Sequence, residues 1–291
     1  MAIIHSNAIG KAFGSVGMIT YKTVAGATIA SDKVFRPNVP RTVSQMVLRT
    51  TWANVVALWQ AFTQRDKPSF EDRAPRVSHF NAFMSANYKT PVYLTKDEAR
   101  QGGCVVAPYV ITRGSLPAIA VGMAQSGASQ SNIAVGALVI DQDTTLGDFS
   151  KAIIENNNGW QDGDQLTYFE VRQVVDSVTH IPHAEVFSNK ITLNSDSEDY
   201  LSDILASQDG FGVVDGKITA PSIIQGGNTW VHSRKTGDGQ ILVSSQKLIV
   251  NNQLLAQYQT TAKMTAAILS YGGKTEREYL VPDTDAAIMG N

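Results

Sequence analysis

From Cys104 to Val250 the chain is a succession of short β-prone runs, each cut by Gly, Pro, Asn, Asp or Ser. Residues 105–112, 118–123, 133–140, 166–175, 184–193, 211–218, 229–234 and 240–250 predict strands, and the turns at Gly163 and Asp164 and at residues 194–196 are the clearest of the breaks. Connections this short favour antiparallel pairing. Two helical patterns interrupt the run. Thr145 caps one, with Phe149, Ile153 and Ile154 inward and a stop at residues 156–159; Thr261 opens the other, through Met264, Ile268 and Tyr271, and Gly272 and Gly273 end it. The expectation is a mainly antiparallel, sandwich-like β domain over residues 104–285 with two inserted helices, and a tail at 286–291.

Residues 1–95 read differently. Residues 10–21 and 27–34 predict a β-hairpin with its turn near Ala25 and Gly26; Gly10, Gly14 and Gly17 suggest bulges or close backbone approach, and Pro37 and Pro40 end the ladder. Thr42 and Gln45 form a capping box. The helix behind it carries Leu48, Trp52, Val55, Trp59 and Phe62 at spacings of 4, 3, 4 and 3, all on one face. Its two tryptophans are core or interface anchors, and the core reading is preferred. Ser78 opens a shorter helix through Phe80, Phe83, Met84 and Tyr88, and Thr95 and Glu98 form a second capping box before Gly102 and Gly103. The whole is an α+β chain whose first 95 residues form a hairpin-and-helix docking domain.

Charge divides the same way. Residues 1–95 hold eleven basic and four acidic side chains, a net of +7, whereas the remainder holds thirteen and twenty-two, a net of −9. The front is suited to an acidic protein face or to nucleic acid, with Arg36, Arg41, Arg49, Arg65, Arg73 and Arg76 interleaved with Tyr21, Phe35, Trp52 and Phe80. No run of about eighteen apolar residues is present to span a bilayer, and the first residues lack the pattern of a secretory signal. The single cysteine, Cys104, has no intrachain disulfide partner and reads as a small core residue.

Chemical motifs fail on inspection. Residues 271–275 resemble the end of a phosphate-binding loop, but Ile268 stands where its first Gly belongs and a helix precedes it. Residues 141–152 resemble a calcium loop, yet carry Leu146 and Ala152 where Gly and Glu are required. His180 and His183 are the only close histidine pair, with no further ligands at zinc spacing. No serine elbow exists. No metal, no cofactor and no enzymatic activity are expected.

The stretches at residues 10–22, 24–31 and 36–45 resemble the opening of a family of proteins from Bacteroidota and their tailed, crAss-like phages. In that family a G-K-x-G-N-x-x-x-Y hairpin precedes N-P-R-T-x-x-Q and an apolar helix. Here the matching residues are Gly14, Gly17, Tyr21, then Pro40, Arg41, Thr42 and Gln45, with Met18 in place of the usual Asn and Val39 inserted before Pro40. The likeness covers residues 8–62, and softer likenesses follow at 110–117, 163–166, 232–235 and 242–246. The resemblance implies a non-enzymatic virion structural protein of the head, collar or tail, made in the bacterial host cytoplasm. Its partners would be other virion proteins and copies of itself, met through the hairpin and arm with Tyr21, Arg36, Arg41 and Trp52 near the contact. Two alternatives stay open: a nucleic-acid-associated protein packaged with the genome through residues 1–95, and a polymer-degrading tail enzyme with its site in the β-rich half.

Overall fold

The longest ladder is the antiparallel pair β8 (Gln165–Val175) and β9 (Pro182–Thr192), in register over eleven residues from Gln165↔Thr192 to Val175↔Pro182. Asp176 closes the connection: its Oδ1 accepts from the Val178 and Thr179 N–H groups and from Thr179 Oγ1, an aspartate turn bonded to its own backbone. β12 (Gly226–Lys235) pairs the other side of β8 and carries β13 (Ile241–Val243) and β15 (Ile249–Val250) in turn. A Cβ on Gly227 would lie 2.5 Å from the Ile249 carbonyl oxygen, so only glycine admits that neighbour. The computed structural model describes residues 2–4, 14–24, 27–33, 43–90, 101–123, 128–179, 181–205, 211–221, 223, 225–251 and 254.

Successive side chains of this five-stranded sheet point to opposite faces, and both faces are buried. Phe169, Val171, Val186 and Val231 join one core with α1 (Val43–Thr63), α2 (His79–Asn87) and residues 104–111. Leu166, Tyr168, Ile191 and Trp230 join the other. That second core is closed by α3 (Leu146–Asn156), α4 (Leu201–Ile204) and a small antiparallel sheet. The small sheet runs in the order β10 (Gly212–Val214), β11 (Lys217–Ala220), β7 (Ser129–Ala134), β6 (Val121–Met123). A two-stranded pair of β5 (Val110–Thr112) and β14 (Gln246–Lys247) completes the body. The architecture is α+β and mainly antiparallel β, as the sequence predicts, with α1 and α2 on one face of the central sheet and a second sheet with α3 and α4 on the other.

Side-chain amides bond backbone groups that the ladders leave unpaired. At the end of α2, Asn87 Oδ1 accepts from the Val110 N–H (2.7 Å) and its Nδ2 donates to the Val110 carbonyl (2.9 Å). At the end of α3, Asn157 repeats the arrangement on Ala134, at 2.9 and 2.7 Å. Within α1 the fully buried Asn54 accepts from the Val105 N–H (2.6 Å) and donates to the Tyr109 hydroxyl, which donates to the Val105 carbonyl. Gln173 accepts from the Val106 N–H (3.0 Å). Each amide presents one donor and one acceptor at the spacing of a peptide group, so it stands in for a missing strand neighbour.

Residues 1–41 and 42–291 form two compact units. The break falls at Arg41 rather than between 95 and 104, because α1 and α2 share their core with the central sheet. In the first unit, β1 (Ala2–Ile4), β4 (Ala27–Asp32), β3 (Ile19–Val24) and β2 (Gly14–Val16) lie side by side in that order, all antiparallel. The β3–β4 hairpin matches the expectation, but the run 10–21 is not one strand. Gly17, at φ +57, turns the chain between β2 and β3, while Met18 keeps a negative φ, the pattern of a type II′ hairpin turn. A Cβ on Gly14 or Gly17 would touch nothing, so close approach does not require them; each instead holds a positive φ, Gly17 in the turn and Gly14 at the start of β2.

Other boundaries move for identifiable reasons. Of the predicted strand 105–112 only β5 forms, because the earlier residues bond to Asn54 and Gln173 instead. The predicted strand 133–140 ends at Ala134, where Gly136 adopts φ +61. Asp215 and Gly216, both at positive φ, split 211–218 into β10 and β11. Ser78 and Thr145 cap α2 and α3 through bonds from the Asn81 and Asp148 N–H groups, as expected. Cys104 is buried, as expected, and burial pushes its thiol up to about 12. The capping residues Thr42, Thr95 and Glu98, His180, the helical pattern from Thr261 and the tail lie outside the described residues, as does any account of the Gln45 side chain.

Asn87→Leu is expected to orphan both backbone groups of Val110 and to cost about 2–4 kcal/mol of unfolding free energy. Thr229→Val should act in the opposite sense. Thr229 Oγ1 is buried with no hydrogen-bond partner, and its removal should raise stability by about 1 kcal/mol. Urea titrations of both variants check the two signs.

Candidate docking surface

Burial in the N-terminal unit is described for residues 14–23 and 28–33, and among those side chains only Thr28 is buried. Its β2–β3 turn instead displays Val16, Met18 and Ile19, at 73, 71 and 41% exposure. The register groups Val16, Ile19, Tyr21, Ala30 and the exposed Asp32 on one face, since Val16 and Asp32 pair Ile19 from either side and Tyr21 pairs Ala30. Ser15, Thr20 and Lys22 share the other, with a 2.9 Å bond between the Ser15 and Thr20 hydroxyls. The Lys33 N–H donates to the Met18 carbonyl at 2.7 Å, bringing that end of β4 to the apolar turn. An isolated sheet of this size depends on a cover for its apolar face.

Of the four residues expected at the contact, Tyr21 is half-buried on β3 and Trp52 is 48% exposed on α1. Arg36 and Arg41 lie outside the described residues. The preferred core reading of Trp52 is corrected. The buried face of α1 is centred on Thr51, Asn54, Val55, Leu58 and Phe62, leaving Leu48 and Trp52 exposed one turn apart. Trp59 sits at the edge of that face, 5.6 Å from Phe80 and 5.3 Å from Phe83 between ring centres. The polar Thr51 and Asn54 on the buried side disguise the centre of the stripe.

Two polar features of the body were not foreseen. Asp164, fully buried, accepts from His232 Nε2 (2.8 Å), from Arg234 Nε and Nη2 (both 2.6 Å) and from the Gln161 N–H (3.0 Å). Trp160 stacks on the His232 ring at 3.8 Å, and Arg234 also donates to the Gly159 carbonyl. Burial alone would raise the Asp164 carboxyl, but the bonds from Arg234 and His232 outweigh it and hold it below its ordinary value. Burial lowers His232, against the pull of Asp164. With every carboxylate oxygen engaged, this cluster clamps residues 159–164 to β12. The sequence signal, Gly163 before Asp164, reads only as a turn.

The second feature is a recess of 260 Å³ where residues 66–69 cross the central sheet, lined in part by Asp66, Lys67, His79, Thr167, Lys190 and Ser233. Three of its polar groups are engaged: Lys190 Nζ and Ser188 Oγ bond Asp66 at 2.7 and 2.9 Å, and His79 Nδ1 accepts from the Phe70 N–H at 3.0 Å. Comparison with protein-family models, with curated proteins and with solved structures finds no match to this chain.

The Asp164–His232 pair sets a pH response. The folded state holds His232 neutral below its ordinary value of 6.5, so the unfolded chain binds the extra proton as pH falls. The stability contributed by this site is complete above that value and declines as pH drops toward the lowered one. Urea midpoints measured from pH 7 to about pH 5 should therefore fall for the natural chain, and His232→Gln, which keeps a donor toward Asp164 but does not titrate, should reduce that slope.

Proposed function

We propose that this chain is a non-enzymatic structural component of a tailed-phage particle, present in many copies and docked through its N-terminal unit. The observation that carries the reading is the turn of the first unit's four-stranded sheet, which displays Val16, Met18 and Ile19 at 73, 71 and 41% exposure. Such a sheet gains most when another surface covers it, and an open edge strand adds readily to a neighbour's sheet. The setting in a virion, in the head, collar or tail, rests on the resemblance across residues 8–62.

A second reading, association with the packaged genome, is favoured by Arg65, Lys67, Arg73 and Arg76, all exposed on the single connection between α1 and α2. It requires binding that weakens steeply with salt.

Mass spectrometry of purified virions should find the chain at on the order of tens of copies per particle, as a symmetric assembly requires; its absence from particles removes the leading reading. Val16→Glu combined with Met18→Glu alters only exposed positions, and is expected to lower incorporation by about tenfold while leaving thermal unfolding of the body unchanged. Normal incorporation of that variant would show that the hairpin turn is not the docking element.

A further inference from the structure

The face of the central sheet that carries Phe169 and Val171 into the helical core turns polar toward the start of β8. Register places Thr167 between Lys190 and Val231, and Gln165 between Thr192 and Ser233, with Val243 beyond Ser233. Period-two alternation puts all of them on the same face as Phe169. Residues 66–69 and His79 bound the 260 Å³ recess over this patch, and Ile241 and Val243 of β13 give it an apolar wall.

Thr167 lacks a structural role there. It is 4% exposed, yet its hydroxyl makes no hydrogen bond among the described residues. Valine has the same shape, and a buried hydroxyl without a partner is unfavourable. Thr229, also unpartnered, does not line the recess, whereas Thr167 does. The hydroxyl of Ser233, on the same lining, is likewise unbonded among the described residues.

Two lysines against one aspartate line the recess. Asp66 is neutralised, since its Oδ1 accepts from Lys190 Nζ and its Oδ2 from Ser188 Oγ. Lys67 is exposed and in no salt bridge among the described residues. His79 adds a directed donor. Its Nδ1 accepts from the Phe70 N–H, and burial and the nearby Arg73 lower its pKa, so the neutral ring carries its proton on Nε2.

We propose that this recess binds a small organic monocarboxylate, held at its charged end by the Lys67 ammonium and the His79 Nε2–H and along its hydrocarbon part by Ile241 and Val243. The Thr167 and Ser233 hydroxyls supply further hydrogen bonds. One unmatched cation fits one negative charge, and a phosphate dianion exceeds it. The volume is below the roughly 300–1,000 Å³ of pockets for larger ligands, which limits the ligand to a short carbon chain. Every lining residue belongs to the body, so the inference stands apart from the docking role of the N-terminal unit.

The test is isothermal titration calorimetry of the full chain with sodium butyrate, butyramide and inorganic phosphate, in a buffer free of carboxylate and phosphate. Butyrate is expected to bind with a Kd on the order of 1 mM, about tenfold tighter than its neutral amide or phosphate. Lys67→Gln and, separately, Thr167→Val should each weaken butyrate by about tenfold without lowering the thermal midpoint. Lys151→Gln, on α3 across the sheet, should leave the affinity unchanged. Absence of butyrate binding, equal binding of butyramide, tighter binding of phosphate, or full affinity in Lys67→Gln overturns the proposal. Should Thr167→Val not fold, Lys67→Gln, at an exposed position, decides alone.

Discussion

The body of this protein depends on amide side chains that substitute for strand partners. A β-rich chain of many short segments leaves more backbone groups exposed at segment ends than ladders can satisfy, and each unpaired group in a core costs as much as a lost hydrogen bond. Asn87 and Asn157 each take both polar groups of one residue, Val110 and Ala134, at the point where a helix ends against a strand. Asn54 does the same work from the middle of α1, where it ties the helix to residues 105–109 with the help of Tyr109. The helices are therefore fixed to the sheets in position along the strand as well as by apolar contact. Hydrophobic packing alone, being non-directional, cannot set that register.

These bonds explain how one central sheet supports two separate cores. β8 is buried along nearly its whole length because alternate residues serve different clusters, Phe169 and Val171 on one side and Leu166 and Tyr168 on the other. The helical side is held by Asn54 and Asn87, the sheet side by Asn157 and the Asp164 clamp on His232 and Arg234. In the N-terminal unit hydroxyls pair across neighbouring strands, Ser15 with Thr20 and Thr23 with Thr28.

Local signals made part of this legible. Ser78 and Thr145 mark helix starts because a cap is a bond between near neighbours, and the β8–β9 hairpin is visible because its partners follow directly in sequence. The side of α1 that turns inward was not legible. Spacing groups Leu48 and Trp52 with Val55, but the true centre includes Asn54, a polar residue buried only because Val105 and Tyr109, more than fifty positions away, bond to it. Residues 135–140 keep apolar side chains that pack without a ladder, so a β-prone composition overran the strand end at Ala134. The recess escapes a linear reading for the same reason: Lys67, Thr167 and Ser233 come from separate stretches of the chain and meet only on the folded sheet.

The order of pairing in the central sheet has a consequence for how the chain is made. β8 and β9 are adjacent in sequence, so their hairpin closes a short loop and forms quickly. β12 must return to β8 from across residues 193–225 before either core is complete, since Trp230 belongs to one cluster and Val231 to the other. A chain emerging from the ribosome therefore leaves both cores incomplete, with the β12 edge of β8 unpaired, until the last quarter has been synthesised. That open edge is a template on which a neighbouring nascent chain can pair, so folding yield depends on the arrival of residues 226–250 as well as on the stability of the finished molecule.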